Sequence, residues 1–196
     1  MSHHTYTTAA FVLGGVDVGE GSRSLVFYTR ELGLLYGLAR SVREVRSKLR
    51  FALQPLSLCE VSLVRGRDVW RVTGARAGIN YYHVLQDAPH KLALLARVFS
   101  LARRLIRGEE PGGEVFELFE EGLTFLVEEE LNKEELALFE CLFIFKLLHL
   151  LGYVASFETR RTLPDEKITR ELLVAMASYK KKLVHEINKS LTATQL

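Results

Sequence analysis

Residues 38–60, LARSVREVRSKLRFALQPLSLCE, contain a dense cluster of positive charge. Apolar residues typical of strands precede the charged part from Leu34 to Ala39 and follow it from Leu56 to Val64. The segment between them has one acidic residue, Glu44, and five cations: Arg40, Arg43, Arg46, Lys48 and Arg50. This pattern predicts an exposed basic loop held at both ends by rigid structure, which is a surface suited to a polyanion. A merely solvated loop is the alternative, although solvated surfaces usually mix charges of both signs.

The charge of the whole chain is also unevenly distributed. The sequence has 196 residues, of which 48% are hydrophobic, so it can bury a core. Residues 1–80 contain 11 lysines and arginines against 6 acidic residues, residues 81–158 contain 7 against 14, and residues 159–196 contain 8 against 4. Two basic ends around an acidic middle indicate nucleic-acid contact or separate surfaces for separate partners.

Short apolar and β-branched runs predict strands in the first 80 residues. The last two runs flank a polar connection that contains Gly66, which favours a β-hairpin. Five strands in so short a segment predict a small closed barrel, and the OB-fold is the common barrel of that size with a nucleic-acid role. Trp70 is expected in the core. The predicted strands are 7–16, 24–30, 34–39, 56–64 and 69–75.

After Gly78 the apolar period changes from two residues to about 3.6, which is typical of helices. Three helices are predicted, at 89–107, 114–130 and 132–151, the last with Asn132 and Glu135 at capping-box spacing. Residues 168–191 predict one long amphipathic helix or two in line. We therefore expect an α+β chain of two domains, with an N-terminal five-stranded OB-fold β-barrel in residues 1–80 and an all-α domain in residues 81–196.

Motifs of catalysis and of metal binding are missing from the sequence. It has no HExxH, no Cys/His cluster, no P-loop and no GxGxxG before a helix. No serine or cysteine stands in a recognisable nucleophile motif. The sequence thus predicts a binding protein rather than an enzyme, with no metal and no cofactor.

The sequence also indicates a compartment. Cys59 and Cys141 each lie in an apolar run, so we expect both to be buried and reduced. The N-terminus lacks the pattern of a signal peptide, and the apolar run 137–155 is interrupted by Glu140, Lys146 and His149. These features predict a cytoplasmic protein with no membrane contact.

Two long segments resemble the N-terminal half of the RecO recombination mediators: VDVGEGSRSLVFYTRELG at 16–33 and GLARSVREVRSKLRFALQPLSLCEVSLVRGRDVWRV at 37–72. LLHLLGY at 147–153 and VHEINKSLTATQL at 184–196 are similar to the C-terminal half. The resemblance implies an OB-fold followed by helices, no enzymatic turnover, and binding of single- and double-stranded DNA. It also implies strand annealing and partnership with a RecR-like protein and with the acidic, apolar C-terminal tail of single-strand binding protein.

The chain departs from the family in places. Many members carry four zinc-binding cysteines after the LLGY segment, whereas residues 155–167 contain none, so zinc is not expected. Gly33-Leu34 stands where Gly-Lys is frequent, and Ser41-Val42 replaces a frequent Gly-Ala.

The candidate site residues follow from charge. We expect Arg40, Arg43, Arg46, Lys48 and Arg50 to neutralise DNA phosphates, with Arg65 and Arg67 as weaker candidates. Lys180, Lys181 and Lys182 are candidates for the rim of a groove that binds an acidic peptide, although lysines also cover many solvated helix faces. Two other functions remain open: an interaction scaffold whose basic loop docks on an acidic protein, and an RNA-binding protein.

Overall fold

The computed structural model describes residues 4–67, 69–154 and 167–194. The chain divides into two compact units, Met1–Gly113 and Glu114–Leu196. The first unit therefore extends well beyond residue 80, where the change of periodicity placed a domain boundary.

The first unit is built on the five strands that the sequence predicts. Each pairs with its neighbours in the order β1-β2-β3-β5-β4, and β4 pairs back with β1, so the sheet closes into a barrel. The contact between β3 and β5 is parallel and the others are antiparallel. The strands are β1 (Thr5–Val18), β2 (Ser22–Thr29), β3 (Gly33–Ala39), β4 (Ser57–Arg65) and β5 (Trp70–Asn80).

Strand β1 is long because it takes part in two pairings. Residues from Thr5 to Val12 pair with β4, and residues from Ala10 to Val18 pair with β2. The register with β2 shifts between Val12 and Gly14, which is a β-bulge. Gly14 has a φ of +142°, which glycine adopts at little cost. A bulge bends a strand, and a bent strand lets a small sheet close on itself.

Alternating residues of β1 explain why its sequence is apolar on both faces. Ala10 and Val12 belong to the barrel core, together with Trp70, whose expected burial is confirmed. Phe11, between them, points to the other side, where its ring stacks on Tyr81 at 6.5 Å and meets Phe99 edge-on at 6.0 Å. The outer face of β1 is thereby covered by helices.

The helices of the first unit are α1 (Leu49–Ala52), α2 (Tyr81–Val84) and α3 (Pro89–Leu105). The helix predicted at 89–107 is confirmed as α3, with Pro89 in its first turn. Because Phe99 packs on Phe11, α3 belongs to the unit that contains the barrel. The division into domains 1–80 and 81–196 stays a prediction.

The segment after α3 returns to the barrel. The Leu34 amide donates to the Gly108 carbonyl at 3.1 Å, and the Tyr28 hydroxyl donates to the Gly112 carbonyl at 2.9 Å. Gly33, at a φ of +67°, lies so close to the backbone of Glu110 that a Cβ at this position would clash with the Glu110 carbonyl oxygen. Residues 108–112 thus seal one side of β2 and β3.

The second unit is helical. Its elements are α4 (Gly113–Glu128), α5 (Lys133–Leu150), α6 (Arg170–Met176), a 3-10 turn (Ala177–Tyr179) and α7 (Lys180–Ala193). The predicted capping box at the start of α5 is confirmed. The Glu135 amide donates to the Asn132 side chain at 3.0 Å, and the Glu135 carboxylate accepts from the Asn132 amide at 2.8 Å.

Helix α5 packs against α4 through aromatic rings. Phe119 and Phe143 meet edge-on at 5.3 Å, and Phe125 stacks on Phe139 at 5.7 Å. The C-terminal segment forms two helices joined by a 3-10 turn, the second of the two arrangements that its periodicity allowed. It begins at Arg170 rather than at Ile168, because the Thr169 side chain accepts from the Leu172 amide and caps the helix there. Across the ranges that the structure describes, no helix is both long and apolar enough to cross a membrane.

Gly33→Ala should destabilise the barrel more than Gly19→Ala does. Both glycines have a left-handed φ, +67° and +61°, which costs alanine about 1–2 kcal/mol. Only at Gly33 does the new Cβ meet backbone, and overpacking adds about 1–3 kcal/mol. Urea unfolding monitored by the fluorescence of Trp70, the single tryptophan, measures the difference. Equal losses in the two variants would contradict the contact with Glu110.

Candidate nucleic-acid interface

The basic loop, residues 40–50, leaves the end of β3 and leads into β4. Its residues form turns as far as Lys48, and Leu49 and Arg50 already lie in the short helix α1. The structure keeps all five predicted cations on the surface: Arg40, Arg43, Arg46, Lys48 and Arg50 are exposed. The sequence-based expectation of an exposed basic loop between two strands is confirmed.

Apolar side chains fix this loop to the barrel: Val42 is buried in its core, and Leu49 packs against the same cluster. Val42 is 3% exposed and belongs to the same core cluster as Phe27 and Trp70. The residue before it, Ser41, has a φ of +51°, and the Arg43 amide donates to the Gly21 carbonyl at 3.0 Å. The loop therefore rests on the turn between β1 and β2, and its cations project from an anchored backbone.

The cations of the loop differ in their pairing. Nη1 of Arg43 lies 3.5 Å from a carboxylate oxygen of Asp17 and donates to the Gly19 carbonyl at 3.3 Å. Across residues 4–67, 69–154 and 167–194, no ion pair is formed by Arg40, Arg46, Lys48 or Arg50. Exposed ion pairs are weak and screened by salt, so Arg43 can exchange Asp17 for another anion.

A cavity of about 310 Å³ opens beside the loop. Arg43 and Arg50 line it together with Arg23 on β2, whose Nε lies 2.9 Å from Asp17. Arg23 was not among the residues that the sequence singled out. Its place depends on strand register, which sets Arg23 opposite Ala39 at the end of β3, and no local pattern in the sequence shows that pairing.

Arg65 and Arg67 lie elsewhere on the barrel. Parallel pairing sets Trp70 beside Gly37, so the turn before Trp70 lies toward the start of β3, whereas the basic loop leaves its end. The turn itself is the predicted hairpin connection, closed by the Gly66 amide donating to Val69 at 3.0 Å. Asp68, between Arg67 and Val69 in this connection, lies outside the described residues.

The charge of Arg65 is already matched by a carboxylate. Its Nη1 lies 2.7 Å from Oε2 of Glu109, and its guanidinium stands 5.2 Å from the centre of the Trp70 ring. The other Glu109 oxygen accepts from Trp70 Nε1 at 3.0 Å. Because of this pairing, Arg65 is a weaker anion site than the cations of the loop. Arg67 is exposed.

Three consecutive lysines of the second unit, Lys180, Lys181 and Lys182, occupy the first turn of α7. Lys181 and Lys182 are exposed, whereas Lys180 is half-buried and lies close to Cys141 on α5; burial raises the pKa of that thiol, and the charge of Lys180 partly offsets the rise. Exposed apolar side chains accompany them, namely Val174 on α6, Tyr179 in the 3-10 turn and Val184 on α7. Apolar groups beside cations are the chemistry that an acidic, apolar peptide requires.

Neither cysteine has the properties of a metal ligand or nucleophile. Both are free thiols; Cys59 is buried as expected, whereas Cys141 is only half-buried. Burial raises the pKa of Cys59 to about 12, and burial also raises that of Cys141 despite Lys180. Reactive and metal-binding cysteines are thiolates. In the part of the chain that the structure describes, no three His, Cys, Asp or Glu side chains come together as a metal site. Most of the segment 155–167, where the family's cysteines would lie, is outside the described residues.

Comparison with known proteins gives matches in both halves. The family model "Recombination protein O N terminal" matches residues 1–78, and "Recombination protein O C terminal" matches residues 86–159. DNA repair protein RecO of Myxococcus xanthus is 35% identical over 69% of this chain and 55% of its own length. DNA repair protein RecO of Dehalococcoides mccartyi is 31% identical over 76% of this chain and 57% of its own length. The chain thus spans somewhat more than half the length of these curated relatives.

Val42→Ala and Val45→Ala form a matched test of how the loop is anchored. Val42 is buried, so removing two methyl groups should cost about 1.5–3 kcal/mol of unfolding free energy through lost burial and a residual cavity. Val45 is 87% exposed, and its variant should stay within about 0.5 kcal/mol of the parent. Urea titrations of both variants give the comparison; a Val42→Ala variant as stable as Val45→Ala would show that the loop is not held by the core.

Proposed function

The chain belongs to the RecO family of DNA repair and recombination proteins, as its sequence resemblance indicated, and we propose that it is a recombination mediator that binds DNA through the basic loop. The observation that carries the proposal is the exposure of four cations without a carboxylate partner in the described chain: Arg40, Arg46, Lys48 and Arg50. Arg43, and Arg23 beside it, extend the same positive surface.

The proposed contact is with phosphates rather than with bases. Lysine and arginine on an exposed loop neutralise backbone charges and release counterions, a contribution that does not depend on sequence. Such a surface accepts single- and double-stranded DNA, because both present phosphates. As part of the proposal we assign the closed five-stranded barrel to the OB-fold, supported by its size and by its return pairing of β4 to β1.

Strand annealing would follow from the same charge. Two DNA strands repel each other, and a surface that neutralises phosphates lowers that repulsion when both strands are bound. We propose that the protein promotes annealing and helps to load a recombinase in this way, as a cytoplasmic binding protein without catalytic turnover. A RecR-like protein is the further partner that family membership suggests.

A second surface is proposed on the helical unit. An acidic peptide that ends in apolar residues, such as the C-terminal tail of single-strand binding protein, would meet cations at Lys181 and Lys182 and apolar side chains at Val174, Tyr179 and Val184. Lys180 is the less suitable cation because it is half-buried against α5.

The competing function is a scaffold whose basic loop docks on an acidic protein. Four exposed cations without a carboxylate partner suit the repeated phosphates of a nucleic acid better than they suit a single folded protein. Family membership also favours DNA. RNA presents the same phosphates, so a competition between RNA and DNA of one sequence separates these two ligands.

The salt dependence of single-stranded DNA binding tests the loop. Five phosphate contacts predict a slope of about −3.5 for log affinity against log salt, at about −0.7 per phosphate. Arg46→Ala should reduce the magnitude of the slope by about 0.7, whereas Lys189→Ala, which removes an exposed cation of α7 that is not part of the loop, should change it little. Fluorescence anisotropy of the full chain at several salt concentrations measures both. An affinity that does not change with salt would reject the proposal.

The helical surface has a separate test. Reversing charge in Lys181→Glu/Lys182→Glu should weaken binding of an acidic peptide with an apolar C-terminus by roughly tenfold, or about 1.4 kcal/mol. Lys189→Glu, an exposed lysine further along α7, is the matched control and should have a smaller effect. Isothermal titration with the synthetic peptide provides the affinities. Unchanged binding by the double variant would place the peptide on another surface.

A further inference from the structure

A cleft of about 590 Å³ lies next to the basic loop in the first unit. Arg50, the last cation of the loop, stands at this cleft, and its walls include the aromatic side chains Phe51, Tyr82 and His83. Charge that suits a phosphate and rings that suit a flat apolar group therefore occur side by side. None of the phosphate contacts proposed above uses these rings.

The two larger rings are exposed although their sequence neighbours are buried. Phe51 is 74% exposed and Tyr82 is 55% exposed. Ala52 and Leu53, which follow Phe51, and Tyr81, which precedes Tyr82, are buried. The neighbours hold the short helices α1 and α2 on the barrel, and the rings are left on the solvent side. Exposed large aromatic groups that the core does not need are typical of binding surfaces.

The walls of the cleft are fixed by backbone contacts. The Asn80 side chain accepts from the His83 amide at 3.2 Å and caps α2. Leu56 has a φ of +62°, which is costly for a branched residue, and two hydrogen bonds hold it there. Its amide donates to Val12 at 3.0 Å, and its carbonyl accepts from the Tyr81 amide at 3.0 Å. These contacts hold the Tyr82 wall in place, and burial of Ala52 and Leu53 holds the helix that carries Phe51.

We propose that this cleft, which we name the Phe51–Tyr82 cleft, receives unstacked bases of single-stranded DNA. The inference rests on the proposed function, since the phosphates of the same strand would lie on the basic loop. Every base has a π-face, so stacking on Phe51 and Tyr82 tolerates any sequence. Paired bases in a duplex stay stacked on one another and cannot enter. The cleft thus adds a contribution that only single strands receive, on top of the phosphate contacts that both forms share.

Charge complementarity favours DNA over an apolar protein segment as the occupant. Arg50 lines both this cleft and the neighbouring cavity, where Arg23 and Arg43 share one carboxylate, Asp17, so that the cavity has three cations and one anion. A ligand that crosses from the cavity to the cleft meets cations first and aromatic rings next. Single-stranded DNA offers both matching groups, namely phosphates for the cations and flat bases for the rings.

The test compares two ligands of equal charge, an oligothymidylate and an abasic oligonucleotide of the same length, by fluorescence anisotropy with the full chain. The parent protein should bind the base-bearing strand more tightly. Phe51→Ala and Tyr82→Ala should each lose roughly tenfold or more on that strand and nothing on the abasic one. Tyr82→Phe, which keeps the ring, should retain the affinity, and Val45→Ala, an exposed apolar residue of the loop, should have no effect.

The outcomes separate this inference from the phosphate proposal. Salt-dependent binding of both strands with equal affinity would overturn the base-binding cleft and leave the loop proposal standing. A loss of affinity in Phe51→Ala on both strands alike would also overturn it. Binding of neither strand would remove the proposed function, and the cleft with it. Because both rings are exposed, the alanine variants should have the same midpoint of urea unfolding as the parent protein. Urea titrations therefore check that the variants are folded.

Discussion

The structure of the first unit depends on one strand pairing along both of its edges. β1 contacts β2 with one half and β4 with the other, and the bulge between Val12 and Gly14 provides the bend between the halves. Closure leaves the barrel without a free edge, so its connections are attached to a rigid ring. It also turns Phe11 outward, where Tyr81 and Phe99 cover it. The helices α2 and α3 are therefore placed by the same strand that closes the sheet.

The proposed interface is a consequence of that rigidity. Five cations close together repel one another, and a loop without an anchor would disperse them. Burial of Val42 in the barrel core and the contact of Arg43 with Gly21 hold the loop in one place. The same scaffold fixes the Tyr82 wall of the Phe51–Tyr82 cleft through Leu56 and Asn80. Phosphate contacts and base contacts would thus share one preorganised support, which lowers the entropy lost on binding.

Local sequence patterns predicted the features that depend on neighbours in the chain. Short apolar and β-branched runs predicted the five strands, the capping-box spacing located the start of α5 at Asn132, and charge composition identified the loop. Features that depend on distant residues were not predictable in this way. The contacts of Asp17 with Arg23 and Arg43 depend on the register of the strands. The contacts of Glu109 with Arg65 and Trp70 depend on the return of residues 108–112 to the barrel. Phe51 lies in a run of apolar residues, and only the packing of Ala52 and Leu53 shows that its ring faces solvent.

The central claim is that an anchored loop on a closed barrel is where DNA meets this protein. Hydrogen exchange of the full chain, measured by mass spectrometry with and without single-stranded DNA, tests it most directly because the readout covers every peptide at once. We expect slower exchange in peptides covering residues 40–53 and 80–85 when DNA is present. Slower exchange confined to residues 114–194, with the loop unchanged, would contradict it.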